Sequence, residues 1–231
     1  MKKLLFLSLV LCSLLITACS PAPTADTITT TLTQVTNTIN NYHSTITVAD
    51  YKMDTSTTIP HQQSIMNIVF LQNVGGYGSR IDKTNGIVKN QTEVITNGTQ
   101  GVIKYHQQNW ETTITPSSAF NNINIYPYEK ISGLLAKLTP YATIQQNLQE
   151  LTITYDGADT TVLNLFEQYL EFPAQEHASV TLKATVQLST NYIKQVQIIY
   201  TQNDTKNEKH IDIAYSGFNE QHAKEIPVIN N

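Results

Sequence analysis

Six histidines, His43, His61, His106, His177, His210 and His222, are the side chains of this sequence best suited to metal ligation or to proton transfer near neutral pH. No two stand at i,i+2 or i,i+4, the spacings that bring two imidazoles to one side of a strand or helix, so the pattern builds no metal site. Asp156 and Asp159 form an acidic pair, which in principle binds Ca²⁺ or divides acid and base roles. A turn position and a helix N-cap account for both without further chemistry. The run Gly75-Gly76-Tyr77-Gly78 lacks the lysine and following helix that a phosphate cradle needs, and reads as a hairpin turn. No Gly-x-Ser-x-Gly elbow occurs. The sequence therefore names no catalytic residue, metal or cofactor, and the expectation is a protein that is not an enzyme.

Chemistry of another kind lies at the N-terminus. Lys2 and Lys3 precede an almost wholly apolar stretch from Leu4 to Thr17. At about 14 residues it falls short of the roughly 20 needed to span a bilayer, and it reads as an export signal. Ile16-Thr17-Ala18-Cys19 follows directly and resembles the lipobox of bacterial lipoproteins. The resemblance implies cleavage between Ala18 and Cys19 and a diacylglyceryl group, with palmitate-type chains, on the Cys19 sulfur. Two chains matter, because one alone gives only marginal membrane binding. Cys12 follows Leu11, too large for the small position before the cut. Residues 19–25 form a small, Pro-containing spacer. The expected location is the outer face of the cell membrane.

Removal of residues 1–18 would leave 213 residues with twelve basic and eighteen acidic side chains, a net charge of −6. Arg80 is the sole arginine, so clustered phosphate contacts are lacking and nucleic acid is excluded as a partner. With Cys12 removed and Cys19 lipidated, no thiol remains for a disulfide. The expectation is a monomer held by packing alone, in one domain over residues 26–231.

Periodicity supplies the elements. Ile28, Leu32, Val35 and Ile39 form one stripe at helical spacing over 26–41, with Asp26 as the expected N-cap. Thr45–Met53, Ser64–Leu71, Gly86–Thr96, Gln100–His106 and Trp110–Thr115 read as strands, separated by turn signals at Asn73-Val74-Gly75-Gly76, Asn85-Gly86 and Asn97-Gly98. A helix is expected over 127–139, a strand over Leu148–Tyr155, and a second helix over 159–171 capped by Asp159. Val180, Leu182, Ala184, Val186 and Leu188 alternate with polar residues, and strands containing Tyr192–Thr201 and Ile211, Ile213 and Tyr215 follow. The fold class is α+β: a curved antiparallel sheet with an N-terminal helix and two or more helices on its concave face.

This order, with the hairpin Gly101-Val102-Ile103-Lys104-Tyr105 to Asn109-Trp110-Glu111 and the ending Tyr215-Ser216-Gly217-Phe218-Asn219 to Ile226-Pro227-Val228, resembles the LolA-like half-barrel lipoproteins. It looks closest to uncharacterised Gram-positive lipoproteins and more distantly like the LprG-type lipid carriers. The resemblance implies a binding module that holds a lipid or other apolar ligand between sheet and helices. The residues expected to line or border that site are Leu135 and Phe166 on the helices and Val180, Leu182, Val186, Leu188, Ile211 and Ile213 on the strands. Whether the helices gate a cavity or plug it stays open at this point, as does whether Trp110 lines a mouth or only packs. The alternative is a structural or sensory surface lipoprotein acting through protein contacts. The lipobox carries its own test. Cys19→Ala is expected to abolish membrane retention and fatty-acid labelling; a variant that still sediments with membranes, beside a wild type that takes up no label, would remove the lipoprotein reading.

Overall fold

The computed structural model describes residues 23–53, 58–220 and 224–226. Residues 1–22, and with them Ala18, Cys19 and most of the spacer, lie outside that set, as do His222, Pro227 and Val228. Helix α1 (Ala25–Thr36) leads into β1 (Asn41–Lys52), β2 (Gln62–Leu71), β3 (Gly75–Thr84), β4 (Ile87–Asn97), β5 (Gln100–Tyr105) and β6 (Glu111–Thr112). Helices α2 (Pro116–Asn121) and α3 (Tyr128–Leu138) follow, then β7 (Thr143–Gln146), β8 (Glu150–Gly157), α4 (Thr160–Leu170), β9 (Ala178–Gln187), β10 (Ile193–Gln202) and β11 (Asn207–Ser216). All eleven strands form one open, curved antiparallel sheet in the order β6-β5-β4-β3-β2-β1-β11-β10-β9-β8-β7. The first and last strands thus pair at its middle, Ile46 opposite Ile213 and Val48 opposite Ile211. This is the α+β half-barrel expected from the sequence.

Alternation fixes which face is inside. Tyr42, Ser44, Ile46 and Val48 point one way on β1, and their partners carry the row across to Phe70, Ile68 and Met66 on β2 and to Tyr215, Ile213 and Ile211 on β11. Helices cover this inner face. Ile28 and Leu32 of α1, Ile131, Leu134, Leu135 and Leu138 of α3, and Val162, Leu163, Phe166 and Leu170 of α4 enter one core cluster with Val180, Leu182, Ala184, Val186, Val196 and Ile198.

The threonines of α1 explain how a weak helix former is held. Thr29 Oγ1 donates to the Ala136 carbonyl at 2.9 Å and lies 2.8 Å from Thr139 Oγ1, and Thr36 Oγ1 donates to Ser132 Oγ at 2.7 Å. These bonds cross from α1 to α3, so side chains that cost helix propensity return it as inter-helix contacts. The N-cap is Thr24, whose Oγ1 accepts the Thr27 N–H, rather than Asp26. The helix ends at Thr36, five residues short of the stripe's extent; Ile39 still reaches the core from the connection to β1. Asp159 caps α4 as expected, accepting from the amides of Thr161 and Val162.

A buried ring of aromatics fixes α3 to the sheet. Tyr42 is fully buried, and its hydroxyl accepts the Tyr128 backbone N–H at 3.0 Å. Tyr128 Oη in turn accepts the Ile193 N–H at 3.0 Å, and Tyr215 Oη donates to the Tyr126 carbonyl at 3.0 Å. The rings of Tyr42, Tyr128 and Tyr215 meet at centroid distances of 5.1–6.0 Å. Burial pushes all three phenols well above their ordinary pKa of 10. Raised folded-state values mean that the contribution of these phenols to stability is flat below about pH 10 and falls above it, as phenols ionise in the unfolded chain first. Tyr42→Phe is expected to cost about 1–3 kcal/mol in urea unfolding, because it orphans the Tyr128 amide. It should also make the alkaline fall shallower; an unchanged midpoint and alkaline profile would show that the phenol is not a pin.

Candidate ligand cleft

Between β6 and β7 the chain crosses the inner face, and glycines set how closely it passes. Gly76, Gly78 and Gly101 all point inward. A Cβ on Gly76 would stand 3.1 Å from Phe120, one on Gly78 3.0 Å from Ile123, and one on Gly101 2.9 Å from Pro116. Helix α2 and the segment after it therefore lie directly on the strand backbones. Arg80 ties the same segment down. Its Nη1 donates to the Asn122 carbonyl at 3.1 Å, while Nε pairs with Asp82 at 2.8 Å and Ser64 Oγ donates to Asp82 at 2.6 Å.

This seating leaves a cleft of about 460 Å³ at one end of the half-barrel, between α2, the start of α3 and the ends of β2–β5. Phe70, Leu71, Val74, Phe120 and Pro127 supply its apolar walls, and Thr96, Asn124 and Glu129 are among its polar groups. Thr96 Oγ1 is committed to the backbone, accepting from the Gly76 N–H at 3.0 Å. Asn124 is different: it is 6% exposed, its amide NH₂ lies 3.5 Å from Tyr42 Oη, and its Oδ1 has no protein partner. Its Oδ1 is thus a buried acceptor left unsatisfied beside the cleft.

The residues singled out from the sequence fall in two places. Leu135, Phe166, Val180, Leu182, Ile211 and Ile213 are all buried in the core cluster, with helix side chains packed on strand side chains. Val186 and Leu188 border a smaller crevice of about 160 Å³ between α1 and the β8–β9 edge, with Ile28, Leu32, Leu151 and Pro23. The cleft lining was missed by sequence reasoning. It comes from turns and from a two-part crossover, which no periodicity marks. The one available signal was the set of inward glycines, which the sequence presents as turn residues. Trp110 sits on the opposite face, half-buried with Lys104 Nζ 5.7 Å from its ring centroid, where it borders a groove with Tyr77 and Lys224. Among the described residues no group of three or more His, Cys, Asp or Glu side chains is placed to hold a metal ion. No described helix is long and apolar enough to cross a membrane.

No family model and no curated protein matches the chain. Among solved structures it is similar to the crystal structure of lipoprotein LppX of Mycobacterium tuberculosis, at 10% identity and a TM-score of 0.44, with 86% of this chain and 96% of that chain covered.

Gly78→Ala tests how the cleft is built. Its Cβ would meet the Asn67 carbonyl oxygen at 2.4 Å as well as Ile123, so strand or crossover must shift. The expected cost is about 1–3 kcal/mol, the range for overpacking, read as a lowered urea midpoint. An unchanged midpoint would mean that the crossover is not seated on the strand backbone.

Proposed function

We propose that the protein is a membrane-anchored, extracytoplasmic binding module of the LolA-like half-barrel type, which holds a lipid or other apolar ligand without transforming it. The observation that carries this reading is the cleft between α2, α3 and the sheet. Its volume of about 460 Å³ falls within the range of roughly 300–1,000 Å³ for small-molecule sites, and its apolar walls with a few convergent polar groups fit the same class. A ligand longer than the cleft gains room by moving α3 or α4 off the strands. Leu135, Phe166, Val180, Leu182, Ile211 and Ile213 then form the deep part of the site, and Val186 and Leu188 its border. Anchoring through Cys19 supplies the membrane partner.

One observation favours the second reading, a surface lipoprotein acting through protein contacts. The space between α3, α4 and β8–β11 is filled by the chain's own side chains. The two readings separate in one experiment. The full chain, purified gently from a membrane-containing host, is examined by native mass spectrometry and titrated with fluorescent fatty acid and glycolipid probes. Co-purifying lipid is expected, reduced by Val74→Trp at the cleft while the fold survives. Ligand-free wild type that takes up no probe would leave the protein-contact reading in its place.

A further inference from the structure

The strands run between two poles. At one pole, turns 72–74, 98–99, 147–149 and 188–192 join β2 to β3, β4 to β5, β7 to β8 and β9 to β10. None of these turns contains Asp, Glu, Lys or Arg. At the opposite pole, the connections 171–177 and 203–206 carry Glu171, Glu176, Asp204 and Lys206. The difference is confined to these connections: exposed Glu129, Glu150 and Glu220 stand beside them at the first pole, and the turns 85–86 and 106–110 at the second carry no formal charge.

The N-terminal end of the described chain lies at the first of these poles. Pro23 borders the crevice with Gln146, Leu188 and Asn191, which belong to or adjoin two of those turns. Cys19 is four residue steps from Pro23, a reach of at most about 14 Å. A ten-residue strand separates the poles by roughly 33 Å. Lipid on Cys19 therefore draws the first pole to the bilayer and leaves the second away from it. At the tip of the β7–β8 turn, Leu148 is 96% exposed, an apolar side chain with no protein surface to cover it. Asn73, Val74 and Gly98, from two more of these turns, form part of the rim of the large cleft.

We propose that this pole is a membrane-contact surface: the uncharged turns rest on the lipid headgroups, Leu148 enters the interface, and the cleft opens toward the bilayer. The inference rests on the lipoprotein reading and adds to it an orientation and a contact residue. The turn tips approach the headgroup boundary without a charge of their own to desolvate, and Glu129, Glu150 and Glu220 beside them stay exposed to water. The two acyl chains supply the hold, and Leu148 supplies direction.

In the mature protein the Cys19 sulfur is occupied by lipid, so Leu148→Cys and Ile87→Cys each add a single labelling site. Ile87 is 63% exposed and sits at the opposite pole, beside exposed Ile59 and Val88, which makes it the stringent control. The full lipoprotein, labelled with an environment-sensitive fluorophore, is reconstituted into phosphatidylcholine–phosphatidylglycerol vesicles containing nitroxide-labelled phosphatidylcholine. The label at 148 is expected to lose most of its emission and the label at 87 to keep it. Retention on vesicles with 148 quenched no more than 87 overturns the orientation and leaves the anchor standing. A protein that neither stays with vesicles nor carries acyl mass removes the anchor, and this surface with it.

Discussion

The pairing of β1 with β11 is the constraint on which the rest of the molecule depends. Because the first and last strands are neighbours at the middle of the sheet, β2–β6 build outward on one side and β7–β10 build inward on the other. A chain that reaches one edge at Thr112 must then start again at the far edge at Thr143. Its route lies across the inner face. The helices on that face are thus a consequence of the strand order as much as of their own apolar stripes, and the crossover cannot be shortened without breaking the sheet.

A crossover of that length has to be held at several points, and the inner face holds it by different means on its two halves. Over β3–β5 the contact is backbone against side chain, made possible by inward Gly76, Gly78 and Gly101 and fixed by the Arg80 hydrogen bond to Asn122. Over β1 and β8–β11 the contact is a dense apolar core joined to the aromatic ring of Tyr42, Tyr128 and Tyr215. Small residues in α3 allow this second half to close: Ser132 bonds to α1, and a Cβ on Gly133 would stand 2.8 Å from Tyr169. The cleft lies where the first mode of contact gives way to the second.

The strands with strong alternation were legible in the sequence because one face is buried and the other wet, as in β9, where Ala178, Val180, Leu182, Ala184 and Val186 are buried. Strand β3 was not. Gly75-Gly76-Tyr77-Gly78-Ser79-Arg80 has neither alternation nor β propensity, and it becomes a strand only because β2 and β4 pair with it on both sides. The turn lies before those glycines, where Asn73 takes a φ of 62°. The same lack of pattern hid β7 and the six-residue helix α2, while the strand expected over Trp110–Thr115 shrinks to Glu111–Thr112 because Pro116 begins α2. The inward set on β9 and β11 could be read from alternation. The cleft could not, since its walls come from two turns and a crossover whose positions are set by tertiary pairing.

The two ends of the sheet are unequal to its middle: β6 has two residues and β7 four, against ten to twelve in β1, β2, β9, β10 and β11. An open sheet exposes a row of unpaired amides at each margin, and a long flat margin templates strands from other molecules. Margins this short offer almost no template. Tapered margins of this kind keep neighbouring copies from zipping into fibrils and let the molecules crowd at high local density without polymerising.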